Sequence, residues 1–546
     1  MLFNSYVFLL YFLPITIIGY FGLAHYIRPA AAKIWLVAAS FVFYGWWNPS
    51  FVALLLISIA VNYLLSLWII DTAERPGKQR ALLTIGIALN LSVLVYYKYL
   101  FALLGFFHSE EWLSTDFGHV ILPLGISFFT FTQIGYLVDC QQDLVRERGL
   151  LNYVLFVTFF PHLIAGPILH HREIMPQFAD NSTYRFNDRN LAVGFSLLVF
   201  GLVKKVVLAD TIAPWVEAGF SHPGELGILS AWSTVFGYSM QLYFDFSGYS
   251  DMAIGLGTMF GVRLPLNFNS PYKSTSVIDF WQHWHMTLTR YLTLLIYNPI
   301  SLWMTRRRMS KGLPTNRKAA EKLEGFLALV AFPTFVTMFL AGVWHGAGMQ
   351  FIIFGLLHAF YLIVNHAWRI FGPRATKAAL SPLRSALSHL WRTMLTYFSV
   401  LLALVFFRAE SISDALKLLG GTFGWRGDDL PLSIRGGRIA QFGWLGDFLN
   451  RHGLIVIGPA ELYDTVTKPL LYNSLLIAAL AAVAWGTPNA IQLLGEWSPA
   501  LQKVAPTRWR FLQWQPTLPW AVGVGVMLFY VMTQLDHPGR FLYFQF

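Results

Sequence analysis

Residues 341–358, AGVWHGAGMQFIIFGLLH, place a histidine between small residues, inside a stretch that is otherwise apolar enough for a membrane. Glycine costs about 1 kcal/mol relative to alanine in a helix interior, so a run with three glycines is a poor helix former. The run also puts a titratable ring where hydrocarbon solvates charge badly. The stretch therefore predicts a helix break that holds a polar group, His345, in apolar surroundings.

The composition of the whole chain is typical of a polytopic membrane protein. Of its 546 residues, 56% are hydrophobic and only 12% are charged, whereas soluble domains carry about 25% charged residues. A soluble protein of this composition would lack the charge that solvates its surface. The apolar blocks predict an all-α polytopic membrane protein with roughly 10–13 transmembrane and half-spanning helices.

The charge balance and the cysteine count exclude several functions. The net charge of +11 accompanies no nucleic-acid-binding module, and basic residues of membrane proteins concentrate in cytoplasmic loops. We therefore expect no nucleic-acid partner. The single cysteine, Cys140, excludes an intrachain disulfide and a cysteine-based metal site. Residues 1–26 lack a basic n-region and a convincing cleavage site, so we interpret them as a retained first span.

Two basic loops predict the topology around His345. Residues 305–322 contain seven lysines or arginines and one acid, and residues 369–392 contain five and no acid. Both loops are predicted to be cytoplasmic. Residues 326–366 should therefore form a hairpin that enters and leaves from the cytoplasm, with His345 near its turn.

Other segments are assigned from their apolar length and from helix breakers. Residues 34–70 predict two short spans around Asn48 and Pro49, and residues 149–170 predict a broken, re-entrant segment. Residues 409–465 are more polar and are predicted to be a small periplasmic elaboration. Two further spans are predicted near residues 467–490 and 518–535.

Polar groups embedded in apolar sequence are the remaining evidence for chemistry. The chain carries no nucleophile elbow, zinc-binding helix, phosphate-binding loop or dinucleotide fingerprint. An ionisable group inside a membrane is costly unless it is paired or hydrated, so each one is a candidate for function. A neutral His345 could take a proton from a hydroxyl group that attacks an acyl carbonyl. The alternative is a structural histidine bonded to a carbonyl, with glycines that let helices pack closely.

The histidine pair His283 and His285 is the second candidate. Two residues apart on a helix point in different directions, so only one of them can face a given site. No third ligand is obvious nearby, and we expect no metal site.

Two carboxylates and two lysines admit alternative roles. In a functional role, Asp245 and Asp251 would orient a histidine or bind a cation. In a structural role, they would cap a helix that begins after Ser247 and Gly248. Lys204 and Lys205 are predicted to end a span and to extend to the membrane interface.

Composition and spacing leave two functional classes open. One is an intramembrane enzyme that uses a histidine base, and the other is a transporter of a small solute or lipid-linked glycan with a proton-relay histidine. A transporter predicts paired repeats with matching broken helices, and the sequence shows no convincing internal repeat. This favours the enzyme.

Ordered motifs carry a family resemblance along the chain. They include LPLGISFFTFTQIGYLVD (122–139), FFPHLIAGPILHHREIMPQF (159–178), QLYFDFSGYSDMAIGLGTMFG (241–261), LNFNSPYKSTSVIDFWQHWHMTLTRYL (266–292) and AGVWHGAGMQFIIFGLLHAFYL (341–362). Together they resemble the membrane-bound O-acyltransferase (MBOAT) family, in its bacterial alginate O-acetyltransferase-like branch. The resemblance implies one integral-membrane domain over residues 1–546, with core motifs in 120–370. It also implies a ring of transmembrane helices around a thinned core with a tunnel.

The resemblance further implies a reaction. An acetyl group from cytoplasmic acetyl-CoA would cross the bacterial inner membrane for O-acetylation of an extracytoplasmic polysaccharide of the alginate, cellulose or peptidoglycan type. Acetyl-CoA would be a substrate, and no cofactor would be bound permanently. Membrane lipid would surround the chain, and a periplasmic acetyltransferase partner would complete the transfer.

The resemblance also assigns the site residues. His345, preceded by Trp344, corresponds to the family's essential histidine and would act as general base. The second signature position is His285 rather than His283, and it would position the thioester or stabilise the developing oxyanion. Arg290 and Lys273 are predicted from their charge to meet the phosphates of coenzyme A. The remaining supporting or substrate-positioning candidates are Trp344, His358, Asp245, Asp251 and Arg290.

Overall fold

All regular secondary structure in the described part of the chain is helical. This computed structural model describes residues 1–100, 122–373, 381–425, 468–535, 539 and 541–542, and no strand occurs among them. The helices are α1 (Val7–Tyr26), α2 (Pro29–Gly45), α3 (Ser50–Asp71), α4 (Pro76–Lys98), α5 (Ile126–Gln141), α6 (Leu150–Thr158), α7 (Phe160–Leu163), α8 (His171–Ala179), α9 (Asp188–Ser221), α10 (Ile228–Met259), α11 (Val277–His283), α12 (Met286–Leu292), α13 (Asn298–Ser310), α14 (Arg317–Ala320), α15 (Leu323–His345), α16 (Met349–Phe371), α17 (Pro382–Arg408), α18 (Ile412–Thr422), α19 (Lys468–Gly486), α20 (Ala490–Leu493) and α21 (Leu518–Met532). The all-α prediction is confirmed.

Several helices present apolar side chains outward. In the described ranges, eight helices are long and apolar enough to cross a membrane, namely α1, α3, α4, α9, α15, α16, α17 and α19, and α2 and α21 are shorter apolar helices. Ile18, Ile57 and Phe529 are each more than half exposed. Such surfaces would aggregate in water but suit lipid. The chain is therefore a multi-pass membrane protein, as its composition predicts.

The predicted breaks between helices are confirmed at three places. The helices α2 and α3 lie on either side of Asn48 and Pro49. The helices α15 and α16 pack against each other as a hairpin whose turn follows His345 directly. Between α6 and α8 the chain is broken, and residues 155–169 are all buried. Irregular backbone at membrane depth is tolerated only when protein covers it or when it lines a wet cavity, and here protein covers it.

Two other segments differ from their predicted extent or lie beyond the description. The helix α21 is about 22 Å long at 1.5 Å per residue, so the predicted full span at 518–535 is wrong in length. Of the polar stretch 409–465, residues 426–465 lie outside the described residues, and α18 occupies the part before them.

The helix α10 lies at the centre of the packing. Every residue from Gly237 to Met259 is buried, and α7, α9, α17, α18 and α19 all contact this helix. A helix that is buried on all sides needs no amphipathic pattern, which is why the polar and aromatic residues of α10 alternate without a clear period.

Glycines let α9 and α10 approach each other closely. A Cβ at Gly201 would lie 2.6 Å from the carbonyl oxygen of Gly248, and a Cβ at Gly255 would lie 2.6 Å from that of Gly194. The two contacts are seven residues, or two turns, apart on both helices. They form a seam, the α9–α10 glycine seam, along which no side chain separates the two backbones.

Buried ion pairs cross the same interface just beyond Gly201. There α9 contains a π-helical segment, Val203–Ala209. Lys204 Nζ lies 2.6 Å from Asp251 Oδ2. Lys205 Nζ lies 2.6 Å from Asp245 Oδ1 and 2.7 Å from Asp210 Oδ1.

These pairs correct two sequence interpretations. Lys205 is only 3% exposed, so the predicted extension of the lysines to the membrane interface is wrong. The helix α10 runs without interruption through Asp245 and Asp251, so neither residue caps a helix. Both errors arise because the partner charges come from a different helix, which sequence spacing does not reveal.

The glycine seam gives a stability prediction. Gly255→Ala should lower the stability of the folded protein by about 1–3 kcal/mol, because the new methyl group meets backbone that cannot move aside. The measurement is thermal unfolding of the purified protein in detergent.

The matched control is Gly523→Ala in α21, where a Cβ would meet nothing within 4 Å. It should be neutral, or stabilising by up to about 1 kcal/mol, because alanine is the better helix former. Equal melting temperatures for the two variants would contradict the close packing of α9 on α10.

Candidate active site

His345 is the last residue of α15 and lies at the end of the hairpin. Its side chain is buried, with 6% of its surface exposed. The helices α15 and α16 approach closely beside it, because a Cβ at Gly342 would lie 2.5 Å from the carbonyl oxygen of Phe351. The ring centroid of His345 lies 5.0 Å from that of Phe407 and 5.8 Å from that of Phe354. The glycine-rich sequence thus ends α15 and starts α16, and Phe354 of α16 and Phe407 of α17 pack beside the imidazole.

Lys98 and Tyr99 hold the end of α15 in place. Lys98 Nζ donates a hydrogen bond to the carbonyl oxygen of Trp344 at 2.7 Å, and the Tyr99 hydroxyl donates to that of Val343 at 2.6 Å. The last carbonyls of a helix lack intrahelical partners and carry partial negative charge, so a lysine is favourable there. Lys98 Nζ also lies 5.7 Å from the centre of the Trp344 ring. Helix α4 therefore positions the residue that precedes His345.

His285 is held by an asparagine from the preceding loop. It lies directly before α12, with φ of 42° in the left-handed region, and is 2% exposed. Its Nδ1 is 2.9 Å from Asn267 Oδ1. An amide oxygen only accepts, so Nδ1 carries the proton and Nε2 of the neutral ring carries the lone pair.

Further hydrogen bonds settle the orientation of the Asn267 amide. Its Oδ1 also accepts from the backbone N–H of Thr287 at 3.3 Å and from the Thr287 hydroxyl at 2.8 Å. Its Nδ2 donates to Ser250 Oγ on α10 at 3.1 Å. A backbone N–H can only donate, so the oxygen must face Thr287. The His285 ring is thereby linked to the central helix.

Two cavities meet at His345. One, of about 30 Å³, lies between His345 and His285 and has Trp281, Trp284 and Phe407 among its walls. The other, of about 60 Å³, is lined by His345, Lys98 and residues 122–128. His345 is the only residue that lines both cavities among those described. His345 therefore belongs to the walls of two small cavities.

His358 and His283 lie beside this arrangement without entering it. His358 Nδ1 accepts a hydrogen bond from Trp281 Nε1 at 3.2 Å, so it orients a wall of the smaller cavity. His283 Nδ1 lies 2.8 Å from the carbonyl oxygen of Asp279, and about a third of its side chain is exposed. Of the histidine pair, the structure thus brings His285 to His345 and leaves His283 outside.

The remaining predicted residues are two carboxylates that pair with lysines and a tryptophan, Trp344, whose ring centroid lies 4.7 Å from that of His345. Asp245 and Asp251 face Lys205 and Lys204 across the glycine seam. Trp344 stacks on Phe131 with ring centroids 5.3 Å apart and serves as packing next to His345.

The two predicted donor-binding cations are both engaged by the protein. Arg290 makes two hydrogen bonds to the carboxylate of Glu173, at 2.6 and 2.9 Å. Lys273 Nζ donates to the carbonyl oxygen of Thr487 at 2.6 Å, and burial lowers its pKa. Arg290 lines a third cavity, of about 150 Å³, and Lys273 is not among its described lining residues. Their contact with coenzyme A stays a prediction.

Sequence reasoning missed three residues that organise the site. Asn267 and Thr287 stand inside the quoted motif over 266–292, where an asparagine and a threonine in apolar surroundings are the available signal. Lys98 ends an apolar span and looks like an interfacial lysine, and its contact with Trp344 joins residues 246 positions apart.

Comparison with known proteins identifies the family. The family model described as MBOAT, membrane-bound O-acyltransferase family, matches residues 125–313. The peptidoglycan O-acetyltransferase of Helicobacter pylori is 40% identical over 457 residues, which cover 79% of this chain and 81% of that protein. A probable alginate O-acetylase of Pseudomonas aeruginosa is 36% identical over 431 residues, covering 78% and 75%. The teichoic acid D-alanyltransferase of Bacillus subtilis is 31% identical over 242 residues, covering 44% and 58%.

The chain belongs to the membrane-bound O-acyltransferase family. The predicted resemblance to the alginate O-acetyltransferase branch is confirmed, and the chain is a membrane-bound transferase. This decides in favour of the enzyme between the two classes that composition left open.

The hydrogen bonds of Asn267 give a second stability prediction. In this acyltransferase, Asn267→Leu should lower stability by about 1–3 kcal/mol for each buried donor left without an acceptor. It should also free the His285 ring. Thermal unfolding in detergent measures the first effect.

Asn365→Leu is the control, because Asn365 accepts a single hydrogen bond of 3.3 Å from the backbone N–H of Ile278. A loss of stability no larger than that of the control would show that Asn267 does not anchor the loop.

Proposed function

We propose that this acyltransferase passes an acetyl group from cytoplasmic acetyl-CoA across the bacterial inner membrane for O-acetylation of an extracytoplasmic polysaccharide. The observation that carries the proposal is the position of His345 between two cavities, one shared with His285 and the other with Lys98. The relatives support the acceptor class, since they are named for peptidoglycan and alginate.

In the proposed step, His345 is the general base. The oxygen of the acceptor hydroxyl attacks the thioester carbonyl carbon while the His345 imidazole takes the hydroxyl proton. The C–S bond then breaks, and the imidazolium returns the proton to the leaving thiolate of coenzyme A. The aromatic rings around His345 leave room for only a few water molecules, which would limit hydrolysis of the thioester.

The tautomer of His285 sharpens its proposed role. With the proton on Nδ1, the neutral ring presents Nε2 as an acceptor toward a hydroxyl group. This supports a positioning role and speaks against donation to an oxyanion by the neutral ring. A hydrogen-bond donor for the developing oxyanion would come instead from Lys98, which lines the cavity on the other side of His345.

The size of the two cavities favours a short acyl group. Volumes of about 30 and 60 Å³ hold only a few water-sized groups, since one water needs about 10–15 Å³. An acetyl group fits such a space, whereas a fatty acyl chain would require the aromatic walls to move.

The cellular arrangement completes the proposal. Polysaccharides of the alginate or peptidoglycan type lie outside the cytoplasmic membrane, whereas acetyl-CoA is in the cytoplasm. The sequence has no recognisable hydrolase-type catalytic triad, so a periplasmic acetyltransferase partner is proposed to finish the transfer onto the polymer.

Replacement of His345 tests the general base. His345→Ala should lower polysaccharide O-acetylation in cells by at least about 10²-fold, which is the usual contribution of a general base. Acetyl esters are measured on the isolated polysaccharide, and the amount of folded protein is checked by size exclusion in detergent.

His283→Ala is the matched control, because His283 belongs to the same motif as His285 but faces outward. His283→Ala should lower polysaccharide O-acetylation less than His285→Ala does. Normal polysaccharide acetylation by folded His345→Ala protein would show that His345 is not the general base. Movement of a solute in liposomes without consumption of acyl-CoA would indicate a transporter instead.

The cavity size gives a prediction on the donor. Purified protein with an acceptor should release coenzyme A from acetyl-CoA at least about 10-fold faster than from a long-chain acyl-CoA, because extra methylenes have no pocket. Thiol release measures both rates. Equal rates would show that the acyl group binds outside these two cavities.

A further inference from the structure

A third cavity brings together three side chains that ligate metals. This cavity, of about 150 Å³, is lined by Asp139 near the end of α5, by His170 just before α8 and by His171, the first residue of α8. One ligand atom from each of the three lies within 4.8 Å of the others. Because Asp139 lies about 30 positions before the adjacent pair His170 and His171, the sequence did not point to the three as a group.

The distances suit a single ion. Asp139 Oδ2 lies 3.2 Å from His170 Nε2 and 2.9 Å from His171 Nδ1. Ligand atoms at about 2.0–2.2 Å from a tetrahedral zinc ion lie roughly 3.3 Å from one another. The His170 side chain is 27% exposed, so its ring has room to adjust.

The hydrogen bond of His171 leaves a lone pair directed at the cluster. His171 is 4% exposed, and its Nε2 lies 3.4 Å from the carbonyl oxygen of Leu144. A carbonyl oxygen only accepts, so Nε2 carries the proton. A histidine that ligates a metal generally donates its other ring N–H to a carbonyl or carboxylate in this way.

The contact between His171 and Asp139 does not replace a ligand. Within the described part of the chain, His171 Nδ1 has no hydrogen-bond partner, because its contact with Asp139 Oδ2 lacks hydrogen-bond alignment. A divalent ion bound by both atoms would give this buried nitrogen a partner and would neutralise the carboxylate.

We propose that Asp139, His170 and His171 bind one divalent transition-metal ion of the zinc type. Two imidazoles and one carboxylate are a donor set that zinc accepts, and three protein ligands leave one coordination position open. The three ligands line the same cavity as Thr287 and Arg290, and a further ligand would reach the ion from that cavity.

The site is connected to the His285 loop. The backbone N–H of Ile168, two residues before His170, donates to the Thr287 hydroxyl at 3.1 Å. That hydroxyl donates in turn to Asn267 Oδ1, the acceptor for His285. A metal ion that fixes the chain at His170 and His171 would therefore also restrain the loop that carries His285. Metal binding itself does not depend on the proposed acetyl transfer.

Metal binding to the purified full-length protein tests the site. After EDTA treatment and dialysis against Zn²⁺ in detergent, mass spectrometry of the metal content should find one zinc per chain. Co²⁺ should give the visible absorption of a nitrogen- and oxygen-ligated ion. Zinc should also raise the melting temperature, because it binds the folded state preferentially.

Variants locate the ion and separate binding from misfolding. Asp139→Asn, His170→Gln and His171→Gln should each weaken zinc binding by at least about 100-fold and abolish the thermal shift. His283→Gln is the matched control, because His283 faces a single carboxylate, Asp279, at 3.4 Å, and it should bind zinc like the wild type. If a buried variant does not fold, His170→Gln decides, because its ring is partly exposed.

Two results would overturn the site. The first is wild-type protein that retains no stoichiometric zinc. The second is unchanged zinc binding by folded His170→Gln protein, which would place the ion elsewhere.

Discussion

The close approach of α9 and α10 is the constraint on which the rest of the structure depends. Glycines at positions 194, 201, 248 and 255 remove the side chains that would separate the two backbones. Only at that distance can Lys204 and Lys205 reach carboxylates on the neighbouring helix. Loss of one partner from a buried ion pair costs about 3–5 kcal/mol, because the other charge stays in an apolar interior. Close packing and charge pairing therefore stabilise the same interface.

The central helix α10 is linked to His285 by hydrogen bonds. Ser250 on α10 accepts from Asn267, and Asn267 fixes the ring and tautomer of His285. His345 is positioned by a different part of the fold, the end of α15, where Lys98 donates a hydrogen bond to the carbonyl oxygen of the preceding residue. The two histidines thus meet across a small cavity although separate parts of the fold position them. Both rings are therefore held in fixed positions before a substrate binds.

The parts of the site that sequence reasoning found are those with a local signal. Three glycines around His345 break a helix wherever they stand, and basic loops on both sides predict a hairpin. The choice of His285 over His283 came from a family motif, and of these two residues only His285 lines the cavity beside His345. Lys98 and the group of Asp139, His170 and His171 were missed because their partners come from distant segments. The lysines of α9 were misplaced for the same reason.

The sequence by itself determined the membrane class, the helical fold, the broken segments and the place of His345 at a turn. These properties depend on apolar length, on charge in loops and on the helix preference of neighbouring residues, and all are local quantities. Only the tertiary structure decided which buried charges neutralise each other, which nitrogen of His285 carries the proton and which side chains share a cavity. Those outcomes depend on distances of a few ångströms between helices far apart in sequence, because hydrogen bonds and ion pairs act only at contact.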